Sequence, residues 1–165
     1  MTALLDTVDP DGLLEYSVVF TDRSLNHMSQ EFQQVMRDIS EMLKDVYKAD
    51  AVALVPGGGT CAMEAVARQF GTDAHALIVR NGWFSYRWSQ IFDAGAFTSE
   101  TTVCMARQTG NGAQAPFAPA PIDEVTASIR DAKPDVVFAP HVETSAGMIL
   151  PDDYITALAD AAHDV

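Results

Sequence analysis

The chain has 165 residues, a length typical of one domain, and 48% of them are hydrophobic, which is enough for a buried core. Ten Lys and Arg residues against twenty-three Asp and Glu residues give a net charge of −13, which argues against nucleic-acid binding and against binding to anionic lipid surfaces. The two cysteines form neither a disulfide framework nor a metal motif, and no apolar run approaches the length that spans a membrane. Because the start also lacks the basic region of a signal peptide, we expect a cytoplasmic protein.

The first quarter of the chain predicts one long helix. Before it, a turn is expected at residues 9–12 and a short strand at residues 16–20, followed by a polar stretch at residues 22–26 that could cap the helix. The helix is predicted from about residue 29 to residue 47. Its apolar residues recur at helical spacing and would form one face, made of Phe32, Val35, Met36, Ile39, Met42, Leu43 and Val46.

From residue 51 onwards, short apolar runs alternate with helical patterns. Strands are predicted at residues 51–55, 76–79, 101–105 and 136–139, and helices at residues 61–70, 84–92, 122–131 and 152–163. The segment 107–121 is rich in Gly, Gln, Ala and Pro and predicts a surface loop. Continuously apolar strands are typical of a sheet buried on both faces. The pattern therefore predicts an α/β fold of three layers, in which helices cover a mostly parallel sheet.

The last predicted element is a helix, after which a parallel sheet would need another strand. A strand–helix–strand unit is then only half complete at Val165. We therefore expect this sequence to be the front part of a longer chain, with the alternative that the last helix packs as a terminal cap.

Three loops follow predicted strands and carry the polar, aromatic and glycine residues that ligand sites use. They begin at Gly57, Arg80 and Pro140. In open α/β sheets, ligands bind beyond the carboxyl ends of the strands, so we expect these loops to converge on one edge.

The first loop, Gly57 to Thr60, combines glycines with a following helix start, which suits a phosphate. A tight strand–helix turn without a ligand is an equally good interpretation. The loop is not a P-loop, because no Gly-Lys-Ser/Thr follows, and its match to a dinucleotide fingerprint is weak because no acidic ribose partner lies about twenty residues on.

The other two loops offer ring stacking and hydroxyl groups. The aromatic residues at 83–88 could stack on a planar ring, although each could equally be a core residue at the start of a helix. The third loop offers Thr144 and Ser145, but it has no nucleophile-elbow context, and His141 and Glu143 are not spaced as metal ligands.

Together the three loops resemble the class V aminotransferases. The motifs are Pro-Gly-Gly-Gly-Thr-x-Ala-x-Glu at residues 56–64, Asn-Gly-Trp-Phe-x-x-Arg at residues 81–87, and His-x-Glu-Thr-Ser-x-Gly at residues 141–147. They occur in the same order and at similar intervals as in the alanine–glyoxylate and serine–pyruvate transaminase group, which are fold-type-I enzymes that use pyridoxal 5′-phosphate. The resemblance runs from about Asn26 to the end of the chain.

The resemblance implies a role for each matching residue. Glu64 and Arg87 match family positions and would be structural supports. Phosphate binding is implied for the glycine loop, ring stacking for the aromatic residue three before Arg87, and contact near the cofactor ring for the hydroxyl-bearing loop. The implied cofactor-binding residues are Gly58, Gly59, Thr60, Phe84, Thr144 and Ser145.

The resemblance also implies a domain plan and an activity. Residues 1–25 would be an N-terminal segment, and residues 26–165 the N-terminal part of the cofactor-binding large domain. The complete enzyme would be a homodimer that moves an amino group from an amino acid to a 2-oxo acid such as glyoxylate or pyruvate.

No residue of the present chain is assigned a catalytic role. The lysine that links the cofactor is expected beyond Val165, because Lys44, Lys48 and Lys133 do not lie at predicted strand ends. We therefore expect the 165 residues alone to be inactive.

Three alternatives remain open at this point. The chain could be a phosphate- or dinucleotide-binding α/β module without covalent chemistry, as the glycine loop allows. It could belong to a lyase or cysteine desulfurase that shares the fold and the cofactor. It could also be a stable remnant whose apolar helix at residues 29–47 pairs with another chain.

Overall fold

The computed structural model describes residues 30–165, which divide into two compact units between Val55 and Pro56. The described part of the first unit contains one helix, α1 (Gln30–Tyr47), and this confirms the long helix predicted from the sequence. No residue of α1 is buried, and in its apolar face the side chains of Met42 and Val46 are 60% and 71% exposed. The elements predicted before residue 30, and the predicted domain boundary after residue 25, lie outside the described residues.

The second unit, residues 56–165, alternates helices with short strands. In chain order its elements are α2 (Gly59–Gly71), β1 (His75–Arg80), α3 (Trp83–Gly95), β2 (Glu100–Met105), β3 (Arg107–Gln108), β4 (Phe117–Ala118), α4 (Ile122–Ala132), β5 (Val136–Phe138), β6 (Val142–Glu143), a 3-10 turn (Thr144–Ala146), β7 (Met148–Ile149) and α5 (Asp152–His163). The four helices predicted after residue 60, and the three strands predicted after residue 75, are each present within a few residues of the expected bounds.

The sheet has three parallel strands in the order β2-β1-β5. The central strand β1 has four consecutive side chains with no exposed surface, from Ala76 to Val79, as a strand covered on both faces requires. The chain passes from β1 to β2 on one side and returns through α4 to β5 on the other side of β1. The carboxyl ends of β1 and β5 therefore flank a point where the strand order reverses, which is where ligands bind in folds of this kind.

Helices cover both faces of this sheet, because successive side chains of β1 point to opposite sides. Leu77 and Val79 pack into a cluster built with α4 and α5, whose other buried members are Ala120, Val125, Ile129, Leu150, Tyr154, Leu158 and Ala161. Ala76 and Ile78 pack into a second cluster built with α2 and α3, whose other buried members are Ala67, Phe92 and Phe138. The predicted three-layer α/β fold with a parallel sheet is therefore confirmed.

The strand predicted at residues 51–55 is wrong, because this segment has no regular secondary structure and four of its five residues are exposed. A strand exists only where its backbone groups pair with a neighbour. Within residues 30–165, none of the strand pairings involves residues 51–55, so their apolar run does not form a strand. The glycine loop therefore follows an irregular segment and not a strand.

The segment 107–121 is not entirely a loop as predicted. Its ends form a short antiparallel pair in which Arg107 lies opposite Ala118 and Gln108 lies opposite Phe117. The residues between them supply the Gly-rich and Pro-rich composition from which the loop was predicted.

Gly71 tests the packing between α2 and α3. A methyl group at Gly71 would lie 2.5 Å from Cε1 of Phe92, a core side chain that is 1% exposed. We expect Gly71→Ala to lower the free energy of unfolding by about 1–3 kcal/mol, because the aromatic ring must move within a close-packed core. Urea unfolding of the two proteins measures this difference. Gly112→Ala is the control, since nothing lies within 4 Å of the added methyl group, and equal losses in both variants would contradict the packing described here.

Candidate functional site

The amino terminus of α3 lies where the loops after β1 and β5 meet. The first backbone N–H groups of a helix have no partner inside the helix and carry a partial positive charge. Here they donate hydrogen bonds to two side chains that follow β5 in the chain. The Trp83 N–H donates to Ser145 Oγ at 2.8 Å. The N–H groups of Phe84 and Ser85 donate to the two carboxylate oxygens of Glu143, Oε1 at 3.1 Å and Oε2 at 2.8 Å. A carboxylate and a hydroxyl from about sixty residues later therefore cap this helix.

The Glu143 carboxylate is 1% exposed and is hydrogen-bonded on both oxygens. Besides the hydrogen bonds from the two backbone groups, it accepts hydrogen bonds from the hydroxyls of Ser85 at 2.6 Å and Ser145 at 2.5 Å. Burial raises the pKa of Glu143, but the hydrogen bonds from Ser145, Ser85 and Phe84 outweigh it and hold the pKa below its usual range. Glu143 is therefore charged at neutral pH, as a helix amino terminus favours.

Gly82 is required where these two loops touch. A methyl group at this position would lie 2.6 Å from Ser145 Oγ and 2.7 Å from Glu143 Cγ, both closer than real side chains approach. The glycine of the second motif therefore has a packing reason, because any larger residue at 82 would push the Glu143 and Ser145 side chains from the helix they cap.

The glycine loop forms the open start of α2. Gly57 has a φ of +119°, a conformation that favours glycine, and Gly58 caps the helix without any side-chain hydrogen bond. Methyl groups at Gly58 or Gly59 would meet nothing within 4 Å, so the space in front of the helix start is open. The helix dipole and the exposed backbone of this turn fit a phosphate group.

Arg87 connects this turn to α3. Its Nη1 donates a hydrogen bond to Thr60 Oγ1 at 2.6 Å, which places a guanidinium beside the start of α2. The same guanidinium lies over the ring of Phe84, 5.5 Å from its centroid, and the Phe84 side chain is 44% exposed. A guanidinium at a helix start and an exposed aromatic ring therefore lie next to each other in the second unit.

The structure connects the predicted site residues through two links. Thr60 and Phe84 are joined through Arg87, and Ser145 is joined to the start of α3 through Trp83. The convergence of the three loops on one edge is therefore observed, while the binding of a cofactor by Gly58, Gly59, Thr60, Phe84, Thr144 and Ser145 stays a prediction.

Two residues have a larger part in the site than the sequence indicated. Arg87 was expected to be a support, yet it supplies the charge beside the helix start. In the sequence Glu143 is only a motif position, although a glutamate followed by two hydroxyl residues offers hydrogen-bond acceptors that could cap a helix. Glu64, by contrast, forms a surface ion pair with Arg68 at 2.8 Å, as a supporting residue would.

Lys133, the lysine of the second unit, does not lie at this site. Lys133 ends α4 and precedes β5, which places it at the opposite edge of the sheet from the carboxyl ends of the strands. Lys44 and Lys48 belong to the first unit. The residues of the second unit fit the phosphate and the ring of pyridoxal 5′-phosphate, and no lysine of that unit is positioned to link its aldehyde.

Comparison with known proteins supports the fold. No family model matches the chain, and no curated protein sequence is significantly similar to it. Among solved structures, ureidoglycine-glyoxylate aminotransferase (pucG) from Bacillus subtilis superposes with a TM-score of 0.61 at 21% identity, over 80% of this chain and 33% of that chain. The chain thus spans about a third of the length of that enzyme, and its helix-flanked parallel sheet is consistent with a part of a fold-type-I pyridoxal-phosphate transferase domain.

No helix within residues 30–165 is long and apolar enough to cross a membrane.

The Glu143 cap makes a testable contribution to stability. In Glu143→Gln, whichever way the amide is turned, its NH2 group faces a backbone N–H that now has no acceptor. We expect the free energy of unfolding at pH 7 to fall by about 2–3 kcal/mol, the usual cost of breaking a buried charged hydrogen-bond set. Glu124→Gln, which removes an exposed ion pair with Arg107, is the control and should have little effect.

The difference in unfolding free energy between wild type and Glu143→Gln should be smaller at acidic pH. Because the folded-state pKa of Glu143 is lowered, its contribution is present above the ordinary glutamate pKa of about 4.3 and is lost as the pH falls through the lower folded value. Urea unfolding at several pH values measures the difference between wild type and Glu143→Gln. A difference that stays constant from pH 7 down to about pH 3 would count against this cap.

Proposed function

We propose that this chain forms the phosphate- and ring-binding part of a pyridoxal 5′-phosphate-dependent aminotransferase of the class V type. The complete enzyme, a cytoplasmic homodimer, would transfer an amino group from an amino acid to a 2-oxo acid such as glyoxylate or pyruvate. The observation that carries the proposal is the Arg87–Thr60 hydrogen bond, which places a cation at the open start of α2 beside the exposed ring of Phe84.

The phosphate side of the site uses backbone and charge together. Gly58 and Gly59 leave the start of α2 open, and the hydroxyl of Thr60 lies next to the guanidinium of Arg87. A phosphate dianion at this point would meet the positive end of the helix dipole and one full positive charge. The start of α2 and Arg87 would hold the phosphate of the cofactor, and Phe84 of α3 would be available to its ring.

The ring side uses the first turn of α3. Phe84 would stack on the pyridine ring, and Glu143 fixes the direction of Phe84 by accepting its backbone N–H. Thr144 and Ser145 would place hydroxyl groups near the ring, with Ser145 already tied to Trp83. When bound, the cofactor supplies the electron sink, and the residues of this chain hold and orient it.

The choice of the amino-group acceptor rests on the fold similarity to a solved enzyme and on that enzyme's name. One solved structure with a similar fold is a ureidoglycine-glyoxylate aminotransferase, and its name favours glyoxylate among the small 2-oxo acids. The transfer itself needs a lysine, which the described second unit does not supply at the site. A lyase or desulfurase of the same fold would use the same phosphate and ring contacts.

The dinucleotide alternative gains no support from the geometry. In a dinucleotide-binding fold an acidic residue at the end of a strand binds the ribose hydroxyls. Here β1 ends at Arg80 and β2 ends at Met105, so neither strand carries an acid at its carboxyl end. We therefore expect no saturable binding of NAD.

The decisive experiment is a titration of the 165-residue chain with pyridoxamine 5′-phosphate, which lacks the aldehyde that reacts with surface lysines. We expect saturable binding in calorimetry, weakened about tenfold or more in Arg87→Met because one charge-assisted contact to the phosphate is lost. Pyridoxamine, which lacks the phosphate, should bind wild type at least as weakly as pyridoxamine 5′-phosphate binds Arg87→Met.

Arg130→Met is the matched control, since Arg130 is an exposed arginine on α4, on the other face of the sheet. It should bind pyridoxamine 5′-phosphate as wild type does. Saturable binding of NAD together with no response to pyridoxamine 5′-phosphate would instead support a dinucleotide-binding module, and equal affinities for wild type and Arg87→Met would refute the phosphate site.

A further inference from the structure

A second open site lies at the carboxyl ends of β1 and β2, on residues that the proposed cofactor site does not use. It is a groove of about 470 Å³ within the second unit, lined mainly by Arg80, Asn81, Trp83, Tyr86, Met105 and Phe117. We refer to it as the Arg80 groove. None of the six predicted cofactor-binding residues belongs to its lining.

Arg80 brings an uncompensated positive charge to this groove. Its guanidinium lies over the ring of Tyr86, 5.0 Å from the centroid, and its other contacts are the hydroxyl of Ser89 and the sulfur of Met105. No carboxylate within residues 30–165 pairs with it. Arg68 and Arg107, by contrast, each have a glutamate within 2.8 Å, in a chain that has more than twice as many acidic as basic residues.

Asn81 adds a buried amide without hydrogen-bond partners to the same lining. Its side chain is 3% exposed, and neither its amide nitrogen nor its amide oxygen has a hydrogen-bond partner. Leaving a buried amide unpaired costs free energy, so such groups in folded proteins are rare and call for a partner. Because both polar atoms are buried, the Asn81 side chain must rotate before its amide meets a ligand in the groove.

The remaining walls of the groove are apolar and exposed. Trp83 and Phe117 are each 57% exposed and Met105 is 53% exposed, which is unusual for side chains of this size. The rings of Trp83 and Tyr86 lie 6.0 Å apart and are tilted against each other, so they form one continuous aromatic wall. A flat apolar body would bury these surfaces.

The polar end of the Arg80 groove fits a carboxylate better than a phosphate. The nearby start of α3 is already capped by Glu143 and Ser145, so no free helix donors remain for a dianion. One guanidinium edge and one amide match the two oxygens of a carboxylate. We propose that the Arg80 groove binds an aromatic monocarboxylate, with its carboxylate on Arg80 and its ring against Trp83 and Phe117.

Calorimetric titration of the 165-residue chain with phenylacetate tests this proposal. We expect saturable one-to-one binding to wild type, and affinity lower by about tenfold or more in Arg80→Met, which keeps the apolar stem but loses the charge. The uncharged analogue 2-phenylacetamide should bind wild type at least about tenfold more weakly for the same reason. Arg130→Met is the matched control and should bind phenylacetate as wild type does.

Two further variants keep the result interpretable. Phe117→Ala changes an exposed residue of β4 and should weaken binding even if Arg80→Met folds poorly. Arg87→Met, which should lose pyridoxamine 5′-phosphate, should retain phenylacetate, so the two sites succeed or fail separately. The proposal is overturned if phenylacetate shows no saturable binding, if Arg80→Met binds it as tightly as wild type, or if Arg87→Met loses it instead.

Discussion

The Glu143 carboxylate holds together two parts of the chain that lie far apart in sequence. It is buried, it sits at the positive end of α3, and both of its oxygens accept hydrogen bonds. These bonds tie the loop after β5 to the loop after β1 at the start of α3. The direction of Phe84, and through Arg87 the link to Thr60 at the start of α2, both depend on this capped helix.

Arg80 and Arg87 have no carboxylate partner within residues 30–165, and they lie at the two candidate ligand surfaces of this acidic protein. Arg87 faces the open glycine turn, and Arg80 faces the aromatic groove on the other side of the α3 start. A guanidinium that is not paired with a carboxylate retains its ability to bind an anion in a planar, two-point geometry. The two surfaces differ in what surrounds the charge, since one offers a helix terminus and the other offers aromatic walls.

The sequence predicted the layers of the fold and the convergence of the loops, because burial leaves a clear pattern in the strands and helices. The apolar run in β1 and the helical spacing of α4 and α5 are local signals of this kind. The strand predicted at residues 51–55 failed, since strand formation depends on a partner that apolar composition does not reveal. The roles of Arg87 and Glu143 were also missed, because both arise from contacts across long sequence separations.

Carbon-13 NMR of the Glu143 side-chain carboxyl during a pH titration tests the central claim most directly. If this carboxylate caps α3, its pKa will lie below the ordinary glutamate range of about 4.3, and the amide signals of Phe84 and Ser85 will shift with the same midpoint. A Glu143 pKa at or above the ordinary value, with no matching change at those two amides, would contradict the account.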